Sequence, residues 1–425
     1  MRNSARKLAD DRVGSVAVQI PLPLLGALGA AENAFFSLCL NAGREVLTAM
    51  MEQDRTELCG PKGKRLGERA AVRAGSAPSE VTLGGRRIPM RRLRARSIEG
   101  RELALGSFQF ASNRDPLDRF TLATISRGVS TRGYQEVLEE LPTGEPERSM
   151  SRTTVSRRFA ALSSEHLREL LSRPLAGLDL RVVLIDGIVF HDHTVLIALG
   201  VAADGRKHVL GLREGATENA TVARALIADL IERGLPTDRA VLFVVDGSKA
   251  LSKAVTEVFG PLALIQRCQV HKMRNVLEHL PEAARPRVRR LMRDAWRLGN
   301  AKQAERKLRA LVGGLERDHP GAAKSLGEGL LETLTLQRLG VGGALYQTLR
   351  TTNPIENLNG RINAFTRNVT HWRDGAMLVR WLGAAVLRAE AGFRRLRGHR
   401  DMIRLVATLD RTIKTKSLDL SREAA

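Results

Sequence analysis

Three carboxylates stand where they could do chemistry. Asp186 follows an apolar run in RVVLIDG, Asp246 follows another in AVLFVVDG, and Glu356 lies far downstream in TTNPIENLNG. Carboxylate oxygens suit hard divalent cations such as Mg²⁺ or Mn²⁺. Two such ions about 4 Å apart can activate an attacking oxygen and stabilise a leaving one at a phosphodiester. The chemistry to expect is metal-dependent attack on a nucleic acid.

Each residue also has a plainer role. A single Asp-Gly after a strand is ordinarily a turn, because Gly accepts positive φ and Asp caps its own backbone. Two of them, each after a near-continuous apolar run, are harder to dismiss. Glu356 could instead close a capping box, with Asn353 as the cap, Pro354 at the first helical position and Glu356 three residues after the cap. Spacing leaves both roles open. Cys268 and His271 are spaced C-x-x-H, which is half of a tetrahedral zinc set, while Cys39 and Cys59 belong to another region. On that ligand count a structural or DNA-contacting role is expected. His191, Asp192 and His193 fall at a hairpin end and read as turn polarity.

The elements that must position these residues follow from periodicity. RVVLIDGIVF is a strand, TVLIALGV and KHVLGLRE form a hairpin, and ATVARALIADLIERG is an amphipathic helix. AVLFVVDG, a helix at SKALSKAVTEVFG and the strand LALIQRC complete the unit. Three strands, helix, strand, helix, strand is the order of an α/β, ribonuclease-H-like domain. In it the first and fourth strands are neighbours, which would bring Asp186 and Asp246 together. A Rossmann reading is weaker, since no GxGxxG follows a strand. From about Met273 to Gly340 the pattern is helical, and TTNPIEN opens a further helix.

Upstream, LDRFTLATISRG, STRGYQEVLEEL and SRTTVSRRFAALSSEHLREL read as three helices. The last opens at Ser151 and presents Arg152, Thr153, Arg157 and Arg158 beside an apolar stripe of Val155, Phe159 and Leu162. That is either a helix-turn-helix face for a major groove or a plain bundle with a basic face. Farther upstream, CGPKGKRLGERAAVRAGSAPSE reads as a loop. The arginine-rich GGRRIPMRRLRARS, with Arg91, Arg92 and Arg94, reads as a DNA-backbone contact or a solvated linker. The expected partition is a basic N-terminal region over 1–110, a helical DNA-binding domain over 111–175, a catalytic core over 176–272, a helical insertion over 273–348, and completing helices over 349–425. The region before the core is thus expected to be mainly helical.

Composition supports a polyanionic partner. The chain has 68 Lys and Arg against 46 Asp and Glu, a net charge of +22. Each phosphate so neutralised releases counterions. Three dispersed cysteines make no disulfide framework, so a reducing, cytoplasmic and nucleoid-associated location is expected. Val13 to Ala31 carries no charge, but Pro21 and Pro23 interrupt it and Asp10 and Asp11 precede it. A buried helix or docking arm is expected there, with no membrane partner.

Taken together, LIDG with Asp186, GATEN at Gly215 to Asn219, VVDG with Asp246, IQRCQVHKMRNVL at Ile265 to Leu277, and LRTTNPIENLNGRI at Leu349 to Ile362 resemble the Mutator-like transposases of bacterial insertion sequences. The likeness runs from about Asp115 to the end. It implies an Asp-Asp-Glu site in which Asp186, Asp246 and Glu356 hold two Mg²⁺ or Mn²⁺ ions, with Glu356 a ligand and not a cap. It also implies an insertion domain before Glu356 and a family feature in Cys268 and His271. The function it implies is binding of an element's terminal repeats, then metal-dependent cleavage and strand transfer into target double-stranded DNA. Two ends handled together imply a homodimer or higher assembly on DNA. Lys249, Arg213, Arg367 and Arg373 are candidates to steady phosphates. The rivals are a structure-specific nuclease of the same fold and a non-catalytic DNA-binding protein.

Overall fold

The computed structural model describes residues 22–64, 70–83, 86–113, 151–215, 220–369 and 371–411. They fall into two units that divide between residues 155 and 156. The helices expected at LDRFTLATISRG and STRGYQEVLEEL, and residues 216–219 of GATEN, lie outside the described residues. Of the apolar stretch beginning at Val13, residues 13–21 lie outside them too.

In the first unit, helix α1 (Leu22–Cys59) begins beside Pro23, where a missing N–H costs no hydrogen bond. Strands β1 (Ala71–Leu83) and β2 (Arg86–Ser97) pair antiparallel along their lengths, and β3 (Glu102–Leu103) adds to β2. Helix α2 (Gly106–Asn113) follows. This corrects two expectations: the sequence from Ala71 is an edge strand, not a loop, and the arginine-rich stretch is its partner, not a linker. A region expected to be mainly helical therefore carries a three-stranded sheet. The physical reason is a set of apolar positions that the charge conceals. Ile88 and Ala95 of β2 are buried, as are Val81 and Ala71 of β1, and Met90 and Leu93 are partly buried between them, with Arg91, Arg92, Arg94 and Arg96 interspersed. Gly75 takes a φ of +76° where the register shifts between Arg73 and Ser76, a bulge. Pro78 is tolerated because β1 is an edge.

Helix α3 (Arg152–Ser172) spans the division, with Ser151 Oγ accepting from the Thr154 N–H at 3.2 Å. Val155 and Phe159 are buried, and Arg152, Thr153 and Arg157 are exposed.

The second unit is built on β4 (Leu180–Phe190), β5 (His193–Ala202), β6 (Lys207–Gly215), β7 (Val241–Val245) and β8 (Ala263–Arg267), in the order β6-β5-β4-β7-β8. The first three form an antiparallel meander, and β4, β7 and β8 run parallel. The architecture is mixed α/β. Alternate residues of the apolar runs serve opposite faces, and both faces are covered. Val183, Ile185, Phe243 and Val245 pack with Leu226 and Ile227 of α4 (Ala220–Glu232) and Leu251 and Val255 of α5 (Lys249–Phe259). Val182, Leu184, Leu242 and Val244 pack with a second layer of helices.

Between β8 and that layer, α6 (Gln269–Glu278), α7 (Arg285–Trp296), α8 (Ala301–Glu316) and α9 (Pro320–Gly327) enclose a core of Val276, Met292, Trp296, Leu308 and Leu326. The short helices α10 (Thr335–Arg338) and α11 (Gly343–Leu349) lead to α12 (Asn353–Thr366) and α13 (Gly375–Ala391). Ile355, Leu358 and Ile362 of α12 share the core with Leu184 and Val244, which seats α12 on the sheet. Among the described residues, no helix is long and apolar enough to cross a membrane.

Phe243 is fully buried, with its ring 4.8 Å from that of Phe259. Phe243→Ala is expected to destabilise the protein by about 3–5 kcal/mol through lost burial and the cavity left behind. Denaturant unfolding measures this, and a loss below about 1 kcal/mol would contradict the packing described.

Candidate active site

The parallel pairing of β4 and β7 reaches Ile185↔Val245. Asp186 and Asp246 are the next residues on their strands, so the two carboxylates are delivered where the pair ends. Asp186 lies within β4, which continues beside β5 to Phe190, and its residue is only 9% exposed. Asp246 is half-exposed at the start of the turn to α5, and its Oδ1 accepts from the Ser248 N–H at 2.9 Å. Ser248 in turn caps α5, accepting from the Leu251 N–H. Gly247 takes a φ of +118°, and a Cβ there would come within 2.3 Å of Arg267 Nε. Its carbonyl accepts from Arg267 Nη2 at 3.1 Å. Glycine is therefore needed after Asp246 both for conformation and for space.

Glu356 comes from the first turn of α12, whose N-cap is Thr352 and not Asn353. The capping-box alternative fails in detail. Glu356 Oε1 accepts from the Thr352 hydroxyl at 2.6 Å, and the N-cap side chain makes no capping hydrogen bond. One turn farther, Asn359 Nδ2 donates to Asp186 Oδ2 at 2.8 Å. Asn359 is buried, and its Oδ1 has no partner. Helix α12 thus presents Glu356 and Asn359, at an i,i+3 spacing that shares a face, to the strand ends.

Cys268 and His271 lie beside them. Cys268 directly follows β8 and is the N-cap of α6, its Sγ accepting from the His271 N–H at 3.5 Å. The Thr352 hydroxyl stands 3.4 Å from Cys268 Sγ and 3.3 Å from His271 Nδ1. A hydroxyl has one proton. The short contact assigns it to Glu356, which leaves the oxygen's lone pairs toward the other two. His271 Nδ1 is 3.9 Å from Glu356 Oε1.

The electrostatics join these groups. Asp186 is pushed up to about 7, first by burial and next by the Asp246 carboxylate. His271 opposes the rise and Glu356 adds to it. His271 is held above its ordinary value, first by its hydrogen bond to Cys268, against the cost of burial, with Glu356 and Asp246 adding to the rise. For Cys268, burial raises the thiol, but hydrogen bonds from the His271 ring and backbone, aided by the Thr352 backbone, outweigh it and hold the group below its usual range.

A divalent cation fits this donor set. Burial and the Asp246 and Glu356 carboxylates raise the cost of ionising Asp186, which a cation would relieve. The orphaned Asn359 Oδ1 is an acceptor ready for a water bound beside Asp186. The oxygens of Asp186, Asp246 and Glu356 do not, however, close as a set to within 4.8 Å of one another. Among the described residues, the trio whose ligand atoms all lie within 4.8 Å of one another is Cys268, His271 and Glu356.

The other residues singled out from the sequence are spread over the molecule. Arg92, Arg94 and Arg96 converge on Glu102, Arg94 at 2.6 and 2.7 Å. That cluster holds Glu102 down at about 2, chiefly through the Arg94 hydrogen bond. Arg91 donates to Ser76 Oγ. Lys249 pairs with Glu328 and Arg373 with Asp374. His191 and Asp192 form the β4–β5 turn, and His193 Nδ1 is 2.7 Å from Glu214. Periodicity missed Asn359 and Thr352. The signal for both was present, since they lie three residues after and four before Glu356 on one helix face.

A model of the family described as "Transposase, Mutator family" matches residues 33–395. The chain is 30% identical over 247 residues to the transposase for insertion sequence element IS6120 of Mycolicibacterium smegmatis, covering 56% of this chain and 74% of that protein. It is 28% identical over 332 residues to the transposase for ISRM5 of Rhizobium meliloti, covering 76% and 80%. A third relative, the transposase for ISRM3 of the same organism, is 28% identical over 351 residues, covering 82% and 83%.

The shift of Asp186 gives a pH prediction. A carboxyl raised above its unfolded value of 3.8 binds protons more tightly when folded, so its contribution is favourable at low pH and lost as pH rises toward 7. In metal-free protein, Asp186→Asn should therefore raise the melting temperature relative to wild type at pH 8 and lose that advantage progressively as pH falls from about 7 to about 4. Thermal denaturation across this range checks it, and a pH-independent difference would contradict the shift.

Proposed function

Because this chain belongs to the Mutator family of transposases, whose members transfer DNA, we propose that it binds the terminal repeats of an insertion sequence and catalyses metal-dependent strand cleavage and strand transfer. The observation that carries this is Asp186, a carboxylate raised first by burial and then by two others that arrive from distant parts of the chain. The sheet order β6-β5-β4-β7-β8, with only β5 reversed, supports a ribonuclease-H-like core over 176–272. The helices from 273 to 348 are then its insertion, and residues 349–425 complete it.

In this reading Asp186, Asp246 and Glu356 would hold two Mg²⁺ or Mn²⁺ ions. Such ions, when bound, supply the charge that activates water and stabilises a departing 3′-oxygen. The chain's own residues do the positioning. Asn359 orients the Asp186 carboxylate through Oδ2 and presents its own carbonyl oxygen to a water. The Ser248 N–H fixes one oxygen of Asp246 and leaves the other available. Thr352 holds Glu356 by one oxygen. After the first cut, the freed 3′-hydroxyl takes the place of water at the target phosphate. No covalent bond between protein and DNA is needed.

For DNA, Arg152, Thr153, Arg157 and Arg158 on α3 and Arg91, Arg92 and Arg94 on β2 belong to two regions proposed to grip the backbone, over 111–175 and 1–110. Glu102 consumes part of the β2 charge, yet three guanidiniums share that one carboxylate. The partners are double-stranded terminal repeats and target DNA, held by a homodimer or higher assembly in the nucleoid.

Purified protein with Mg²⁺ and DNA carrying the element's ends should cut and then join strands, and Asp246→Asn and Glu356→Gln should reduce both steps to background. Cutting without joining would favour the nuclease. Binding without metal-dependent breakage would favour a non-catalytic binder. Asn359→Ala is expected to weaken Mn²⁺ binding about tenfold, the scale of an outer-shell loss, with folding intact. Replacing Arg152 and Arg157 by Ala should lower the slope of log affinity against log salt by about one for each backbone contact removed.

A further inference from the structure

We infer that Cys268, His271 and Glu356 form a site for one zinc ion, distinct in its donors from the carboxylate set and sharing Glu356 with it. In sequence the C-x-x-H spacing offers only two ligands. The fold adds a third from α12, over eighty residues away, and the three donor atoms all lie within 4.8 Å of one another. Tetrahedral zinc with bonds of roughly 2.0–2.3 Å sets neighbouring donors roughly 3.3–3.8 Å apart. His271 Nδ1 and Glu356 Oε1, at 3.9 Å, are nearly there, and the remaining pairs need to close by at most roughly 1–1.5 Å.

The surroundings suit such an ion. Cys268 is fully buried and held at the junction of β8 and α6, where its backbone N–H donates to the Val245 carbonyl at 2.8 Å. Thr352 donates to the Glu356 oxygen, as outer-shell partners of metal-bound carboxylates do. The His271 and Glu356 side chains are 24% and 43% exposed, so an ion can enter and a fourth, exchangeable position faces solvent. Sulfur and imidazole select zinc over magnesium, which prefers oxygen throughout.

Sharing Glu356 has a consequence that rests on the proposed catalytic reading. A carboxylate drawn to Cys268 and His271 is withdrawn from Asp186 and Asp246, so zinc acts as a brake on a magnesium-dependent reaction.

Cobalt(II) titration of the metal-free protein is the test, because its absorption reports tetrahedral geometry and thiolate ligation. Wild type should show a thiolate charge-transfer band that zinc abolishes. Asp186→Asn and Asp246→Asn should keep it. Cys268→Ser and His271→Ala should lose it and weaken zinc binding about 100-fold, the upper end even for outer-shell losses, with melting curves confirming that each variant folds. A band that persists in Cys268→Ser, or no band in wild type, overturns the site. Cleavage in Mg²⁺, read as the ratio with and without micromolar zinc, should fall at least tenfold in wild type and not in His271→Ala. A bound metal with unchanged cleavage leaves the zinc site standing and overturns the ligand role of Glu356.

Discussion

The parallel contact between β4 and β7 is the constraint on which the rest depends. It ends at Ile185 and Val245 and so places two aspartates side by side, one of them in an almost water-free position. Neighbouring carboxylates in such a place repel each other and resist ionisation. The fold tolerates this because both faces of the sheet are filled with apolar side chains, whose burial far outweighs one unfavourable charge. Helix α12 then closes the arrangement. Its apolar positions Ile355, Leu358 and Ile362 fix it on the sheet, and the same seating brings Asn359 to Asp186 and Glu356 to Thr352.

The site is therefore assembled by three unrelated kinds of force. Backbone pairing sets the two aspartates, hydrophobic packing sets α12, and short hydrogen bonds set the orientation of each carboxylate. Arg267 links the first of these to the helical segment that follows β8, since it holds the Gly247 carbonyl and also reaches the Glu328 backbone at 3.4 Å. The turn after Asp246 is thus braced from the segment that separates it from Glu356 in the chain.

Much of the second unit was legible in the sequence. Long apolar runs in β4, β5 and β7 leave little choice of element, and their succession led to the right neighbours and to the meeting of Asp186 with Asp246. The first unit was misread for a definite reason. The arginines of β2 look like a solvated run unless the buried Ile88 and Ala95 and the partly buried Met90 and Leu93 among them are counted, and Gly75 and Pro78 mimic a loop where they mark a bulge and an edge. The direction of Glu356 was beyond periodicity altogether. Whether its carboxylate turns to Thr352 and His271 or to the aspartates depends on side-chain rotamers and hydrogen bonds between elements far apart in the chain. No local spacing encodes those.

Anomalous diffraction from crystals grown with Mn²⁺ and a cleaved DNA end tests the central claim most directly. Two manganese peaks about 4 Å apart, flanked by carboxylate oxygens of Asp186, Asp246 and Glu356, are the predicted result. Fully occupied DNA with no manganese beside Asp186 and Asp246 would contradict it.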